Sequence, residues 1–254
     1  MCMQIQKNGS RMLLIGGFGM ELVECGGALL NNANCGGESH AIILFASEDM
    51  QNDVRNAASR LKSTVEYANF KSYDVHVDIP HMLTLISAIR RFKPDIIITQ
   101  DPEHVVSDLD PGRRVAMTLI LESIAVASRD MLRDELPGLE PHPIATIYYH
   151  TPVRPTCIVD IGGVWDDKCA AMEELKSQLM FSGQHYQTYY GSEIMERVVP
   201  GWSSIGDALE RGIKAKREMD KAFYLYQGAT GHAHYAFSEP YRREGLYHFN
   251  TLLK

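Results

Sequence analysis

The chain has 254 residues, 45% of them hydrophobic and 22% charged, enough for one large α/β domain or such a domain with a C-terminal extension. A formal net charge of -7 argues against a nucleic-acid partner, whose phosphates call for clustered Lys and Arg; the pairs Arg90-Arg91 and Arg113-Arg114 read equally as solvated helix faces. No apolar run approaches the roughly 20 residues of a membrane span, and the start MCMQIQKNGS lacks the order of a signal peptide.

Five cysteines without a CxxC pair read as free thiols, which places the chain in the reducing cytoplasm. Residues 1–10 read as a tail. The run Met12-Leu13-Leu14-Ile15 is apolar on both faces and meets Gly16-Gly17, as a buried parallel strand does before a glycine turn into a helix. That helix runs to Leu30, and Cys25 within Cys25-Gly26-Gly27 reads as a packing residue rather than a nucleophile. Ala41 to Phe45 reads as the next strand. Asn52 to Phe70 has a helical stripe through Val54, Ala57, Ala58, Leu61, Val65 and Ala68. Tyr73 to Val77 alternates like a strand, and Pro80 opens a helix that closes before Pro94. Asp95 to Thr99 is a buried strand, followed by the acidic loop Gln100 to Gly112. Arg113 to Leu132 reads as a long helix and Glu135 to Pro143 as a connection. Strands follow over Ala145 to Tyr149 and Cys157 to Ile161, and helices over Val164 to Phe181 and Ile205 to Tyr226.

Strands alternating with helices predict a three-layer αβα fold with a mostly parallel, Rossmann-like sheet over 11–182, and 183–254 as a small C-terminal extension packed on it. In such a sheet, chemistry collects outside the carboxyl ends of the strands. The loops Gly16 to Glu21 and Gln100 to Gly112 therefore face any active site.

The order of these pieces resembles the PIG-L/LmbE-like deacetylases, relatives of the GlcNAc-PI de-N-acetylase. The resemblance runs from about Arg11 to Arg243. It rests on Cys25-Gly26-Gly27, on Lys93-Pro94-Asp95-Ile96-Ile97-Ile98, on Asp110-Pro111-Gly112-Arg113-Arg114, on Val159-Asp160-Ile161 with Lys168, Ala171 and Ser177-Gln178, and on Glu239-Pro240-Tyr241-Arg242. What it implies is a zinc-dependent hydrolase of N-acylated amino sugars, with a His-Pro-Asp-Asp loop and a His-Pro-Asp-His loop supplying two imidazoles and a carboxylate. Here the first loop reads Gly17-Phe18-Gly19-Met20-Glu21, so the histidine position falls on Phe18 or Gly17. The aspartates fall on Gly19, Met20 or Glu21. In the second loop the histidines fall on Asp110 and Arg113. A guanidinium cannot deprotonate to bind a metal, so neither zinc nor another cofactor is expected, and no metal ligand is assigned.

The residues left to do chemistry are Glu21 and Asp110 as catalytic candidates, with Phe18, Met20, Arg113, His104, Glu239, Arg242 and His234 as candidate substrate contacts. Three readings stay open. One is a homologue without zinc ligands, inactive or metal-free, that binds a small polar, amino-sugar-type ligand or a partner. Another is an active hydrolase or hydratase with a rewired or absent metal site, in which Glu21, Asp101, Glu103, His104, Asp108 and Asp110 could hold magnesium or manganese; if it is an enzyme, the resemblance makes it a deacetylase. The last is an oligomeric scaffold, where Tyr186, Tyr189, Tyr190 and Trp202 bury a subunit contact instead of stacking on a sugar. The pair His232 and His234 points one way on a strand but offers too few ligands for a closed site.

Overall fold

A computed structural model describes residues 9–144, 146–230 and 235–244. Seven strands form one sheet in the order β3-β2-β1-β4-β5-β7-β6. β1 (Arg11–Gly16), β2 (Glu38–Ile43), β3 (Thr64–Tyr67), β4 (Ile96–Gln100) and β5 (Thr146–His150) are parallel, whereas β7 (Ser238–Glu244) runs antiparallel between β5 and β6 (Cys157–Asp160). The helices are α1 (Met20–Glu24), α2 (Gly26–Asn34), α3 (Glu48–Arg60), α4 (Ile79–Phe92), α5 (Pro102–Val105), α6 (Arg113–Ala127), α7 (Trp165–Glu173), α8 (Lys176–Val198) and α9 (Ala208–Thr230). The α/β, mostly parallel architecture expected from the alternation of elements is present.

The alternation of the pleat explains the layers. Leu13 and Ile15 of β1, with Ile42 and Ile97, pack into a core under α4 and α6. Leu14, Ala41, Ile43 and Ile98 point the other way into a core shared with α1, α2, α3 and α7. Burying both faces is why the strands read as unbroken apolar runs. A third, small core gathers Met195, Val199, Trp202, Ile205 and Ala215.

Four elements differ from the expectations. The helix expected to Phe70 stops at Arg60, where Leu61 caps it and Lys62 turns to φ 52°; Thr64–Tyr67 then pairs with β2. The β-branched and aromatic residues there continue the helical stripe by coincidence while carrying strand propensity. Tyr73 to Val77 is turn and bend rather than strand: the Asp74 N–H closes on the Lys71 carbonyl at 2.9 Å. The helix expected from Val164 to Phe181 breaks at Leu175 into α7 and α8, and α8 continues, across a kink at Gly191 (φ 74°), to Val198. Finally, β7 is not expected, because SEPYRRE carries no apolar alternation; its first four residues are buried by strands on both sides.

β2 and β3 lie on one side of β1, and β4 and β5 on the other, so the winding reverses between β1 and β4. At that switch point the two loops noted in the sequence come together.

Candidate functional site

The first loop is shaped by a helix start that no side chain of its own N-cap satisfies. Gly19 caps α1 at φ 104°, and an added Cβ would lie 2.6 Å from Val54 Cγ2, so only glycine fits. The free N–H groups of the turn converge on Glu21. Its Oε1 accepts from Gly17 N at 3.1 Å and Phe18 N at 3.3 Å, and its Oε2 accepts from Phe18 N at 3.2 Å and Gly19 N at 2.8 Å.

The second loop delivers the countercharge. Arg113, the first residue of α6, sends Nη1 to Glu21 Oε1 at 2.7 Å and to Gln100 Oε1 at 3.0 Å. Its Nε lies 3.1 Å from Asp110 Oδ2 and 3.3 Å from Asp108 Oδ2, and its guanidinium sits 5.1 Å from the Phe18 ring centre. Burial by itself would raise the Glu21 carboxyl; the Arg113 charge and the backbone donors outweigh it and hold it at about 2. Burial would likewise lower Arg113, but Glu21 and Asp108 push it upward. Phe18 packs on Phe45 at 5.2 Å between ring centres, and its carbonyl accepts from Gln178 Nε2 at 2.8 Å. Met20 packs half-buried against the core under α3.

Glu21, Arg113, Phe18 and Asp110 are thus brought together, as the motif alignment expects. Asp110 is the exposed member. His104 lies on α5, half-buried, within electrostatic reach of His150. Arg242 is drawn elsewhere: its Nη2 bridges to buried Asp101 at 2.6 Å, and its guanidinium stacks 4.6 Å from the Tyr149 ring centre. Burial would raise Asp101, and the Arg242 hydrogen bond overrides it and lowers it. Glu239 is 1% exposed and holds the start of α2, accepting from Gly27 N at 2.7 Å, Ala28 N at 2.9 Å, Lys168 Nζ at 2.7 Å and the Tyr241 hydroxyl at 2.8 Å. Gly27 is required for that approach, since a Cβ there would lie 2.7 Å from Glu239 Oε1. His232 and His234 lie outside the described residues. The aromatic group is split, with Trp202 fully buried, Tyr186 half-buried, and Tyr189 and Tyr190 exposed. Cys25 is fully buried, and burial pushes its thiol up, as suits a packing residue.

A zinc ion does not fit these residues. The guanidinium of Arg113 occupies the position that the resemblance assigns to an imidazole, and both Glu21 oxygens are taken by backbone donors and Arg113. Among the described residues no group of three or more His, Cys, Asp or Glu side chains converges as a metal would need. Asp101, Asp108 and Asp110 are turned to arginines instead.

Sequence reasoning missed His150. It ends β5 opposite Gln100 of β4, at the same carboxyl edge. The ring is 3% exposed; Nδ1 lies 2.6 Å from Thr151 Oγ1 and 3.5 Å from Glu24 Oε2, while Nε2 has no hydrogen-bond partner. Burial pushes the imidazole below its ordinary value, against the pull of the Glu24 and Glu21 carboxylates, so it is neutral at pH 7. The available signal was its place at the carboxyl end of a predicted strand. Beside it lies a cavity of about 270 Å³, walled by α1, α8, α9 and the ends of β5 and β7.

This geometry defines a class first: an LmbE-like α/β fold with its crevice at the β1/β4 switch point. No protein-family model matches the chain. In sequence it is 24% identical over 172 residues to the 4-oxalmesaconate hydratase of Pseudomonas putida, a match taking in 66% of this chain and 63% of that relative, under two thirds of its length. In structure it is similar to GalB, the 4-carboxy-2-hydroxymuconate hydratase of Pseudomonas putida KT2440, with a TM-score of 0.65 and 20% identity over 95% of this chain and 99% of that one. It is also similar to the N,N'-diacetylchitobiose deacetylase of Pyrococcus horikoshii, with a TM-score of 0.67 and 17% identity over 95% and 86% of the two chains. A third similar structure is a conserved protein of Thermus thermophilus, with a TM-score of 0.62 and 17% identity over 91% and 93%. At these identities the structures share a fold. No helix among the described residues is long and apolar enough to cross a membrane.

Proposed function

We propose that this chain handles a small polar molecule at the carboxyl edge of its LmbE-like sheet, and does so without zinc. The observation that carries the reading is the buried Glu21–Arg113 bridge at 2.7 Å, which fills the switch-point crevice with a fixed ion pair. A carboxylate whose lone pairs are all engaged is a poor general base, and its proton affinity, near 2, is far from the neutral range in which such bases work. Amide cleavage by a zinc-bound water therefore finds no support in these residues.

The hydratases among the similar proteins support a catalytic form of this reading, in which water is added to or removed from a small molecule. His150 is the group at this edge suited to carry a proton. It is neutral at pH 7, and its Nδ1, which faces Thr151 and Glu24, is the ring nitrogen placed to exchange a proton, Nε2 being buried. The bridge that closes the crevice favours the second form, a binding protein without turnover.

One experiment separates these forms and tests the parent reading. The purified full chain is assayed for hydration of 4-oxalmesaconate and for amine release from N,N'-diacetylchitobiose, each with and without a chelator. Hydration that survives chelation and falls at least about a hundredfold in His150→Ala, the usual range for a lost acid–base group, supports the catalytic form. No turnover of either compound supports the binding form. Amine release abolished by the chelator and restored by zinc overturns the reading altogether.

A further inference from the structure

The cavity beside His150 carries an arrangement of charge that the crevice does not use. Three of its ionic groups are already satisfied: Lys216 Nζ bridges to Asp220 Oδ1 at 2.6 Å, and Glu239 is held by Lys168 from behind the wall. Glu24 is different. Among the described residues its carboxylate has one ion-pair partner, the His150 ring at 3.5 Å, and that ring is neutral at pH 7. Lys216 feels the Glu24 charge as well, but its ammonium is spent on Asp220. Among the described residues the walls hold three carboxylates, Glu24, Asp220 and Glu239, against the single ammonium of Lys216; with Lys168 behind Glu239 counted, one carboxylate is left without a cation. Around it stand the aromatic side chains of Tyr186, Phe223, Tyr224 and Tyr241. A face of the Tyr224 ring already takes an ammonium, Lys168 Nζ, at 4.5 Å from the ring centre. His150 is 3% exposed and forms part of the cavity wall, with its Nε2 buried away from the open space.

We infer that this cavity is a binding site for a small organic ammonium compound. Its charged nitrogen pairs with Glu24 and its apolar body lies on Tyr186 and Phe223. An uncompensated carboxylate among aromatic rings attracts a cation by both the Coulomb term and the ring quadrupoles, while it repels carboxylates. The volume of about 270 Å³ lies at the lower edge of the range of roughly 300–1,000 Å³ typical of ligand pockets, which limits the guest to a small molecule. The inference rests on the binding form of the reading above and names its ligand class; hydration of 4-oxalmesaconate at His150 would count against it, because the cavity described here repels carboxylates. It fails separately from that reading, which turns on zinc.

Titration calorimetry of the full chain at pH 7 tests it with three probes of one shape: benzylammonium, benzyl alcohol and benzoate. The expected result is saturable binding of benzylammonium, with benzyl alcohol weaker by about tenfold or more and benzoate not bound, as a charge-assisted contact implies. Glu24→Gln should lose at least about tenfold in ammonium affinity and close the gap to the alcohol, with unchanged far-ultraviolet circular dichroism. Met219→Trp fills the cavity without altering a charge and should abolish binding of benzylammonium. Benzoate binding as tightly as benzylammonium overturns the inference. So does undiminished ammonium binding in Glu24→Gln or Met219→Trp, and so does the absence of binding by all three probes. A chain that takes up zinc in the crevice while still binding benzylammonium through Glu24 would overturn the parent reading and leave this one in place.

Discussion

Removing the guanidinium from the crevice should be among the most damaging single changes in this protein. Arg113→Met leaves the Glu21 carboxylate, 2% exposed, with its backbone donors but without a countercharge. The net descent of that carboxyl from 4.5 to about 2, in which Arg113 and the backbone donors together overcome burial, is worth about 3 kcal/mol, at about 1.4 kcal/mol per tenfold change in proton affinity. Breaking a buried pair by removing one partner typically costs about 3–5 kcal/mol, which agrees. The sign follows from linkage. The folded-state value lies below the unfolded one, so the contribution is complete above about pH 4.5 and is lost as the pH falls toward 2. Urea melts of the wild type, Arg113→Met, and the double variant Glu21→Gln/Arg113→Met measure this directly at pH 7 and pH 3. The single variant should lose about 3 kcal/mol at pH 7, and less at pH 3, where its Glu21 is protonated in the native state. The double variant should recover part of the loss, because the unpaired charge is gone and the introduced amide oxygen still accepts from the turn, while its NH2 now faces the remaining backbone donors. A loss under about 1 kcal/mol in Arg113→Met, the range of an exposed pair, would refute the reasoning.

Further outcomes follow from the same contacts. Glu239→Gln leaves Lys168 buried without its carboxylate and weakens the start of α2, and should cost about 3–5 kcal/mol in urea melts; a cost under about 1 kcal/mol would count against that buried pair. Gly27→Ala places a methyl 2.2 Å from Ile161 Cγ2 and 2.7 Å from Glu239 Oε1, so thermal melting should drop by several degrees, whereas an unchanged midpoint would show that the approach is looser. The depressed His150 proton affinity makes its contribution complete above about pH 6.5 and smaller as the pH falls below that, so His150→Gln should flatten the stability profile between pH 7 and pH 5; an identical slope would contradict its burial in the neutral form. Phe18→His with Arg113→His should not create a zinc site detectable by calorimetry, because Met20 and Gly112 still withhold carboxylates.

The parallel core was legible because burial on both faces writes itself as apolar runs, as in Met12 to Ile15 and Ile96 to Ile98. The meeting of Glu21 with Arg113 was legible too, since both loops end neighbouring strands at the switch point. Contacts that join distant stretches were not. Glu239 satisfies N–H groups 212 and 211 residues earlier, and nothing local in Ser238–Glu244 marks a strand, because its burial comes from β5 and β6 on either side. His150 escaped for a related reason. Its significance lies in Glu24 and in the cavity under α9, neither of which is near it in sequence.

The central claim is that an ion pair occupies the place where this fold's deacetylase resemblance would put a metal. Equilibrium dialysis of the untagged chain against zinc, followed by elemental analysis, tests it most directly. Far less than one zinc per chain is expected at micromolar free metal, with Arg113→Met no better. One tightly held zinc per wild-type chain would contradict it.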